Sequence, residues 1–160
     1  MNRKNMAFSL IAGSFLLAHS AHSEPIGEVA TAFILLGANH KIVVEAYDDP
    51  KVAGVTCYVS RAKTGGIKGM VGLAEDKAEA SIACRQTGPI AFKGDKLDKQ
   101  EEMFSERISL VFKKLRVIRM VDKQRSTLVY LTYSDRLIDG SPQNSVTAVP
   151  LPQGTALPMK

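Results

Sequence analysis

The sequence lacks most of the motifs that mark a common catalytic or metal site. It has no Gly-x-Ser-x-Gly nucleophile elbow of the kind found in serine hydrolases, no Walker loop and no pair of cysteines at C-x-x-C spacing. Nor do its Asp and Glu residues follow the twelve-residue spacing of a calcium loop. We therefore predict no catalytic residues, no metal site and no cofactor.

Long apolar runs are also scarce, and the one that exists lies at the N terminus. Arg3 and Lys4 precede an uncharged, mostly apolar stretch from Met6 to Ala18. That stretch has the length of a signal-peptide core and is shorter than the roughly 20 residues needed to span a bilayer. We expect residues 1–23 to form a signal peptide that is cleaved before Glu24, with a second acceptable site three residues earlier. The alternative is an uncleaved anchor.

Removal of the leader would change the inventory of charged and reactive residues. The excess of basic over acidic residues falls from five to three, and His40 becomes the only histidine. This excess is too small for a nucleic-acid-binding surface, so we predict no nucleic-acid partner. Residues 24–160 then have the size of one domain, and after processing we expect no transmembrane segment.

Cys57 and Cys84 are the only two cysteines. In an oxidising compartment such as the periplasm two thiols pair readily. Cys57 alternates with Val55 and Val59, and Cys84 alternates with Ile82, so both thiols belong to the apolar face of a strand. The pattern predicts a structural disulfide. A catalytic thiol or a redox pair is the alternative.

Most of the chain has the alternation and turn signals of β-structure. Predicted strands cover residues 41–47, 55–60, 81–86, 107–112, 115–121, 127–134 and 146–151. Residues 122–126 separate two of them as a hairpin turn, Gly88-Pro89 is expected to end another, and residues 93–102 have no assignment. Residues 73–80 have the composition of a short helix. The residues from Pro152 onward have the composition of a loose tail. We predict a mainly β single domain, an antiparallel sandwich or partly closed barrel with one or two short helices.

Several segments are similar to a known family. They are residues 37–46, Asp48-Asp49-Pro50, residues 55–66, residues 72–76, residues 109–113 and Gly140-Ser141-Pro142. Together they resemble the bacterial CreA family over nearly the whole chain after the leader. The resemblance implies a small exported protein of Gram-negative bacteria, and it supplies no catalytic residue.

The glycine-rich stretch that follows Cys57 is the candidate binding site. Its glycines can turn backbone N–H groups toward an anion, and its cations would add charge. The candidate residues are Arg61, Lys63, Thr64, Gly65, Gly66, Lys68 and Gly69. A flexible loop without a ligand is the alternative.

Two further features allow other functions. His40 lies near Asp48 and Asp49 and would have to be the base of any hydrolase or transferase. The basic segment 113–119 alternates enough to line an exposed strand face, which is either a solvated edge or a docking surface for acidic groups. Our leading hypothesis is a non-enzymatic periplasmic binding domain whose partner is an envelope protein or a small anionic ligand. A hydrolase or transferase and a structural envelope protein are the alternatives.

Overall fold

The computed structural model describes residues 23–33, 35, 39–66, 80–94, 96–108, 114–135 and 142–160. Within these ranges the chain forms eight β-strands. They are β1 (Glu24–Ala32), β2 (His40–Asp48), β3 (Val52–Lys63), β4 (Ala80–Phe92), β5 (Gln100–Arg107), β6 (Lys114–Asp122), β7 (Thr127–Ser134) and β8 (Asn144–Pro150).

The strands form two four-stranded antiparallel sheets. The first sheet has the order β1-β2-β3-β4 and the second the order β5-β6-β7-β8, so each strand pairs with its neighbours in sequence. The prediction of a mainly β antiparallel domain is confirmed. The predicted hairpin is also confirmed, because β6 and β7 pair from Leu115 opposite Ser134 to Asp122 opposite Thr127.

Alternating side chains from both sheets meet in one hydrophobic core. From the first sheet come Val52, Val55, Val59 and Ile82, and from the second Leu115, Val117, Leu128 and Val149. The predicted disulfide is present: Cys57 and Cys84 lie directly opposite each other on β3 and β4, and both are buried. Since the bond joins two strands of one sheet at the core face, it acts as a structural cross-link.

The two sheets approach each other along β4 and β8. The backbone N–H of Ile82 points to the hydroxyl of Ser145 and that of Cys84 to the hydroxyl of Thr147, both at 3.4 Å. These contacts cover the edge of β4 with the edge strand of the second sheet. The sandwich is therefore closed on this side without a continuous ladder of backbone hydrogen bonds.

The prediction that Gly88-Pro89 would end a strand is wrong. β4 continues through both residues to Phe92. The register between β3 and β4 shifts at this point, and the extra residues of β4 form a bulge opposite Gly54. Gly54 has a φ of +79°, and a Cβ at this position would lie 2.4 Å from the carbonyl oxygen of Pro89 and 2.6 Å from that of Gly88. A proline can remain in a strand where a bulge removes the need for its N–H.

Two strands lie where no strand was predicted. β1 occupies the segment directly after the predicted leader, and β5 begins at Gln100, inside the charged segment without an assignment. Of the strand predicted for residues 107–112, Arg107 is the last residue of β5, Ile108 lies outside β5, and residues 109–112 lie outside the described residues. The predicted helix at residues 73–80 lies outside the described residues except for Ala80, which begins β4.

The C-terminal segment is attached to the domain. Leu97 forms a parallel bridge with Met159 and donates its N–H to the carbonyl of Pro158, while the N–H of Lys160 bonds back to Leu97. Lys160 also donates to Asp98 at 2.9 Å, and this hydrogen bond lowers the pKa of the Asp98 carboxyl. The segment predicted as a loose tail is thus bonded to the residues that precede β5.

A buried ion pair connects the two sheets. Asp49 follows β2 in the first sheet, and Arg119 lies on β6 with its side chain completely buried. One guanidinium nitrogen of Arg119 is 2.9 Å from both carboxylate oxygens of Asp49, and the other donates to Glu101 of β5 at 2.6 Å. Tyr130 of β7 adds a hydrogen bond to Asp49 at 2.7 Å. We call Asp49, Glu101, Arg119 and Tyr130 the Arg119 cluster.

Asp49 also forms the turn that the sequence predicted for Asp48-Asp49-Pro50. Its Oδ1 accepts the backbone N–H groups of Lys51 and Val52 at 2.8 and 2.9 Å. Burial, followed by the charge of Asp49, raises the pKa of the Tyr130 phenol, so Tyr130 remains a neutral donor. One carboxylate therefore shapes the β2–β3 turn and neutralises a buried cation from the other sheet.

Gly54→Ala should destabilise the protein more than its backbone conformation alone explains. The added Cβ meets two carbonyl oxygens of the bulge, so we expect a loss of about 3 kcal/mol or more in the free energy of unfolding. Gly94→Ala is the matched control, because Gly94 has the same φ of +79° with open space around it. That variant should lose about 1–2 kcal/mol. Equal losses in guanidinium unfolding would contradict the steric role of Gly54.

Asp49→Asn should be strongly destabilising, because it retains the turn acceptor but removes the charge that neutralises Arg119. We expect a loss of about 3–5 kcal/mol, as for other buried pairs that lose one partner. Asp122→Asn removes the carboxylate from the exposed Asp122–Arg125 pair and should leave the unfolding midpoint unchanged. If both variants unfold at the same denaturant concentration, the Arg119 cluster does not stabilise the packing of the sheets.

Candidate functional site

Five of the seven predicted binding residues lie at the end of β3 or directly after it. Arg61 is inside β3, two residues before its end. Lys63 ends β3 and is about one-third exposed, and Thr64, Gly65 and Gly66 follow it. Gly66 has a φ of +81°, which a glycine adopts without strain. Lys68 and Gly69 lie outside the described residues.

His40 holds this segment through its imidazole ring. Its Nδ1 accepts the backbone N–H of Gly65 at 3.0 Å, across the gap between the start of β2 and the end of β3. The imidazole thus serves as a hydrogen-bond acceptor for the backbone of this segment. The N–H of Gly65 is thereby occupied within the protein and is not free to face an anion.

Arg61 points into the protein instead of toward a ligand. Its Nε donates to Glu45 at 3.1 Å, and its Nη2 lies 3.0 Å from carboxylate oxygens of both Glu45 and Glu106. Glu45 also lies 3.8 Å from Lys63. We call Glu45, Tyr47, Arg61 and Glu106 the Arg61 cluster, and its two carboxylates neutralise the guanidinium.

Tyr47 completes the Arg61 cluster. Its hydroxyl is 3.2 Å from Glu45 and 3.3 Å from Glu106, and its ring packs on Phe104 with centroids 4.0 Å apart. Burial, then the two carboxylates, raises the pKa of the phenol. Because Glu106 and Phe104 belong to β5, this cluster joins the sheets as the Arg119 cluster does.

The structure does not bring His40 together with the acids that a hydrolytic base would need. Asp48 accepts a hydrogen bond from Thr56 at 2.6 Å, and Asp49 is held in the Arg119 cluster. Within the described ranges no group of His, Cys, Asp and Glu residues has the arrangement of a metal site. No described helix is long and apolar enough to cross a membrane.

The basic segment 113–119 does not form one exposed face. Lys114 is exposed and Arg116 is half-buried between Glu102 and Asp135, but Arg119 points to the opposite side of β6 and is buried. Lys113 lies outside the described residues. The expectation that this segment lines an exposed face is therefore wrong for Arg119, since strand parity sends it into the core.

The most unusual surface of the described protein lies on β1 and its partner. None of the nine residues of β1 is buried or even half-buried. Six large hydrophobic side chains of the described residues are exposed, and five of them lie on β1, on the segment after it and on β2. They are Ile26 (54 %), Val29 (67 %), Phe33 (81 %), Leu35 (85 %) and Ile42 (43 %). We call these five residues the β1 surface.

Sequence reasoning missed the β1 surface because the first residues after the predicted leader show no clean alternation. Val29 and Ile42 are cross-strand neighbours in the β1–β2 register, so the apolar contact between them depends on pairing that the sequence does not reveal. One signal was available. Phe33 to Leu36 is an apolar run directly before Gly37, a position at which a turn is usually polar.

Comparison with known proteins identifies the family. The family model described as CreA protein matches residues 26–154. The curated protein CreA of Escherichia coli strain K12 is 51% identical over 155 residues, which cover 94% of this chain and 97% of that protein. The proteins of the same name from strains CFT073 and O157:H7 match to the same extent. No solved structure gives a significant match. Because the family model covers most of the chain and these relatives match over nearly their whole length, the chain belongs to the CreA protein family.

Proposed function

We propose that the chain is an exported, disulfide-stabilised binding domain that attaches, without catalysis, to a protein of the bacterial envelope through the β1 surface. The observation that carries this proposal is the concentration of exposed apolar side chains on β1, the segment after it and β2. Scattered apolar residues are normal on a protein surface, whereas a group of them at one edge is typical of an interaction site.

The energetics of β1 support a partner. Ordering its backbone costs about 1–2 kcal/mol per residue, and a backbone hydrogen bond returns only about 0.5–1.5 kcal/mol. Other strands offset this cost by burying side chains, but β1 contributes none to the core. A partner that covers Ile26 and Val29 would supply the missing burial.

Export is supported by the predicted leader and by the position at which β1 begins. β1 begins at Glu24, which is the residue that the predicted cleavage would leave at the N terminus. The disulfide between Cys57 and Cys84 suits an oxidising compartment such as the periplasm. These observations agree with a protein that folds and works outside the cytoplasm.

The β1 surface supports binding better than the glycine-rich segment does. Arg61 is neutralised by Glu45 and Glu106, and the N–H of Gly65 is taken by His40. Lys63 is thus the remaining described cation of the predicted anion site, and it lies near Glu45. A site for a small anion would have to rely on residues outside the described ranges.

Protein recovered from the envelope fraction should begin at Glu24 and contain no free thiol. N-terminal sequencing and thiol labelling before and after reduction measure both properties. Cleavage three residues earlier would still agree with export. Full-length, reduced protein in the cytoplasmic fraction would contradict the proposal.

A photo-crosslinking amino acid at Val29 or Phe33 should yield one discrete protein adduct in intact cells. The same amino acid at Lys123, which is exposed in the β6–β7 turn, is the control and should give no such adduct. The partner is identified by mass spectrometry and then mixed with the protein in purified form. Binding should weaken by about tenfold or more in Val29→Lys, because a charge in the contact must be desolvated. Equal crosslinking from Lys123, or binding that Val29→Lys leaves unchanged, would refute the role of the β1 surface.

A further inference from the structure

The four edges of the two sheets differ in how they are protected. β4 and β8 cover each other through the contacts of Ile82 and Cys84 with β8 hydroxyls. β5 is an open edge, but half of its eight residues are charged, which opposes pairing with another strand. β1 is the remaining edge, and the described residues place no strand against its outer side.

The open edge of β1 is regular only in its centre. Register shifts lie between Pro25 and Gly27 and between Ala30 and Ala32, so a straight ladder is available along Gly27–Ala30. Pro25 has no N–H and cannot donate to a further strand. Both features limit uncontrolled pairing at the ends and leave a short central stretch of backbone donors and acceptors.

The charge of this edge differs from that of the whole chain. The chain has an excess of basic residues, whereas the side chains of β1 include Glu24 and Glu28 and no basic one. Lys41 of β2 forms an ion pair with Glu28 at 2.6 Å, yet the Glu28 side chain remains 58% exposed. A strand laid beside β1 therefore meets carboxylates between apolar side chains.

We propose that β1 accepts an extended segment of its envelope partner as a fifth strand of the first sheet, paired along Gly27–Ala30. The open ladder selects a polypeptide main chain, and the carboxylates with Ile26 and Val29 select a segment in which basic and apolar side chains alternate. This inference rests on the proposed function and specifies how the partner binds.

A second copy of this chain fits the edge less well. The side chains of β1 include two carboxylates and no basic group, so pairing β1 with itself forms no ion pair between side chains. The register that places Glu28 opposite Glu28 would bring like charges together. Recognition of a basic segment from another protein uses the same carboxylates favourably.

The test is amide hydrogen exchange of the protein, purified in the form that cells accumulate, with and without a synthetic peptide. The probe is a peptide of about seven residues that alternates lysine and valine, a length that matches a typical strand. At saturating peptide, exchange of those Gly27–Ala30 amides that face away from β2 should slow by about tenfold or more, while the β6–β7 amides stay unchanged. A peptide of the same sequence with every backbone nitrogen methylated keeps the side chains but has no N–H to donate along either edge, and it should give no protection.

Three outcomes of the peptide experiments would overturn this inference. They are no protection of Gly27–Ala30 at millimolar peptide, equal protection by the methylated peptide, and equal protection by a peptide with glutamate in place of lysine. Protection without peptide that rises with protein concentration, together with a dimer in sedimentation, would identify a second copy as the occupant and also overturn it. A partner that crosslinks to Val29 without protecting the β1 backbone would leave the proposed function standing and refute strand addition alone.

Discussion

The position of one sheet on the other depends on the buried pair of Arg119 and Asp49. Strand parity directs Arg119 to the same face of β6 as Leu115 and Val117, so a guanidinium must enter the core. A buried cation is tolerated only beside a charge and hydrogen-bond acceptors, and Asp49 of the other sheet provides both. The apolar core supplies the driving force for packing, while this pair restricts the sheets to the arrangement in which the cation is neutralised.

Each ion cluster uses a glutamate of β5, and this explains why an open edge strand is held in place. Glu101 contacts Arg119 near the start of β5, and Glu106 contacts Arg61 near its end. On the opposite side of the sandwich the sheets meet through β4 and β8. None of these inter-sheet contacts involves β1, and every residue of β1 is exposed.

Hydrophobic alternation in the sequence predicted those features of the fold that depend on one strand alone. Alternation located β2, β3, β6, β7 and β8 and placed both cysteines on the core face, because burial of one side of a sheet imposes a period of two. It failed at Gly88-Pro89, where a bulge opposite Gly54 compensates for the proline, since compensation of that kind lies on the partner strand. It failed for Arg119 as well. A basic residue is normally exposed, and its partner Asp49 lies 70 residues away.

The disulfide and the exposed strand β1 lie in the same sheet. Both relate to how much apolar surface that sheet buries. All four strands of the second sheet contribute side chains to the core, and the contribution of β5 is Met103. In the first sheet only β2, β3 and β4 contribute side chains to the core. A sheet that leaves one strand outside the core has less apolar burial to stabilise it. The Cys57–Cys84 bond, which closes a 27-residue separation, offsets this deficit by about 3.5 kcal/mol of unfolded-chain entropy. The disulfide thus stabilises a sheet in which β1 stays at the surface with its apolar side chains exposed.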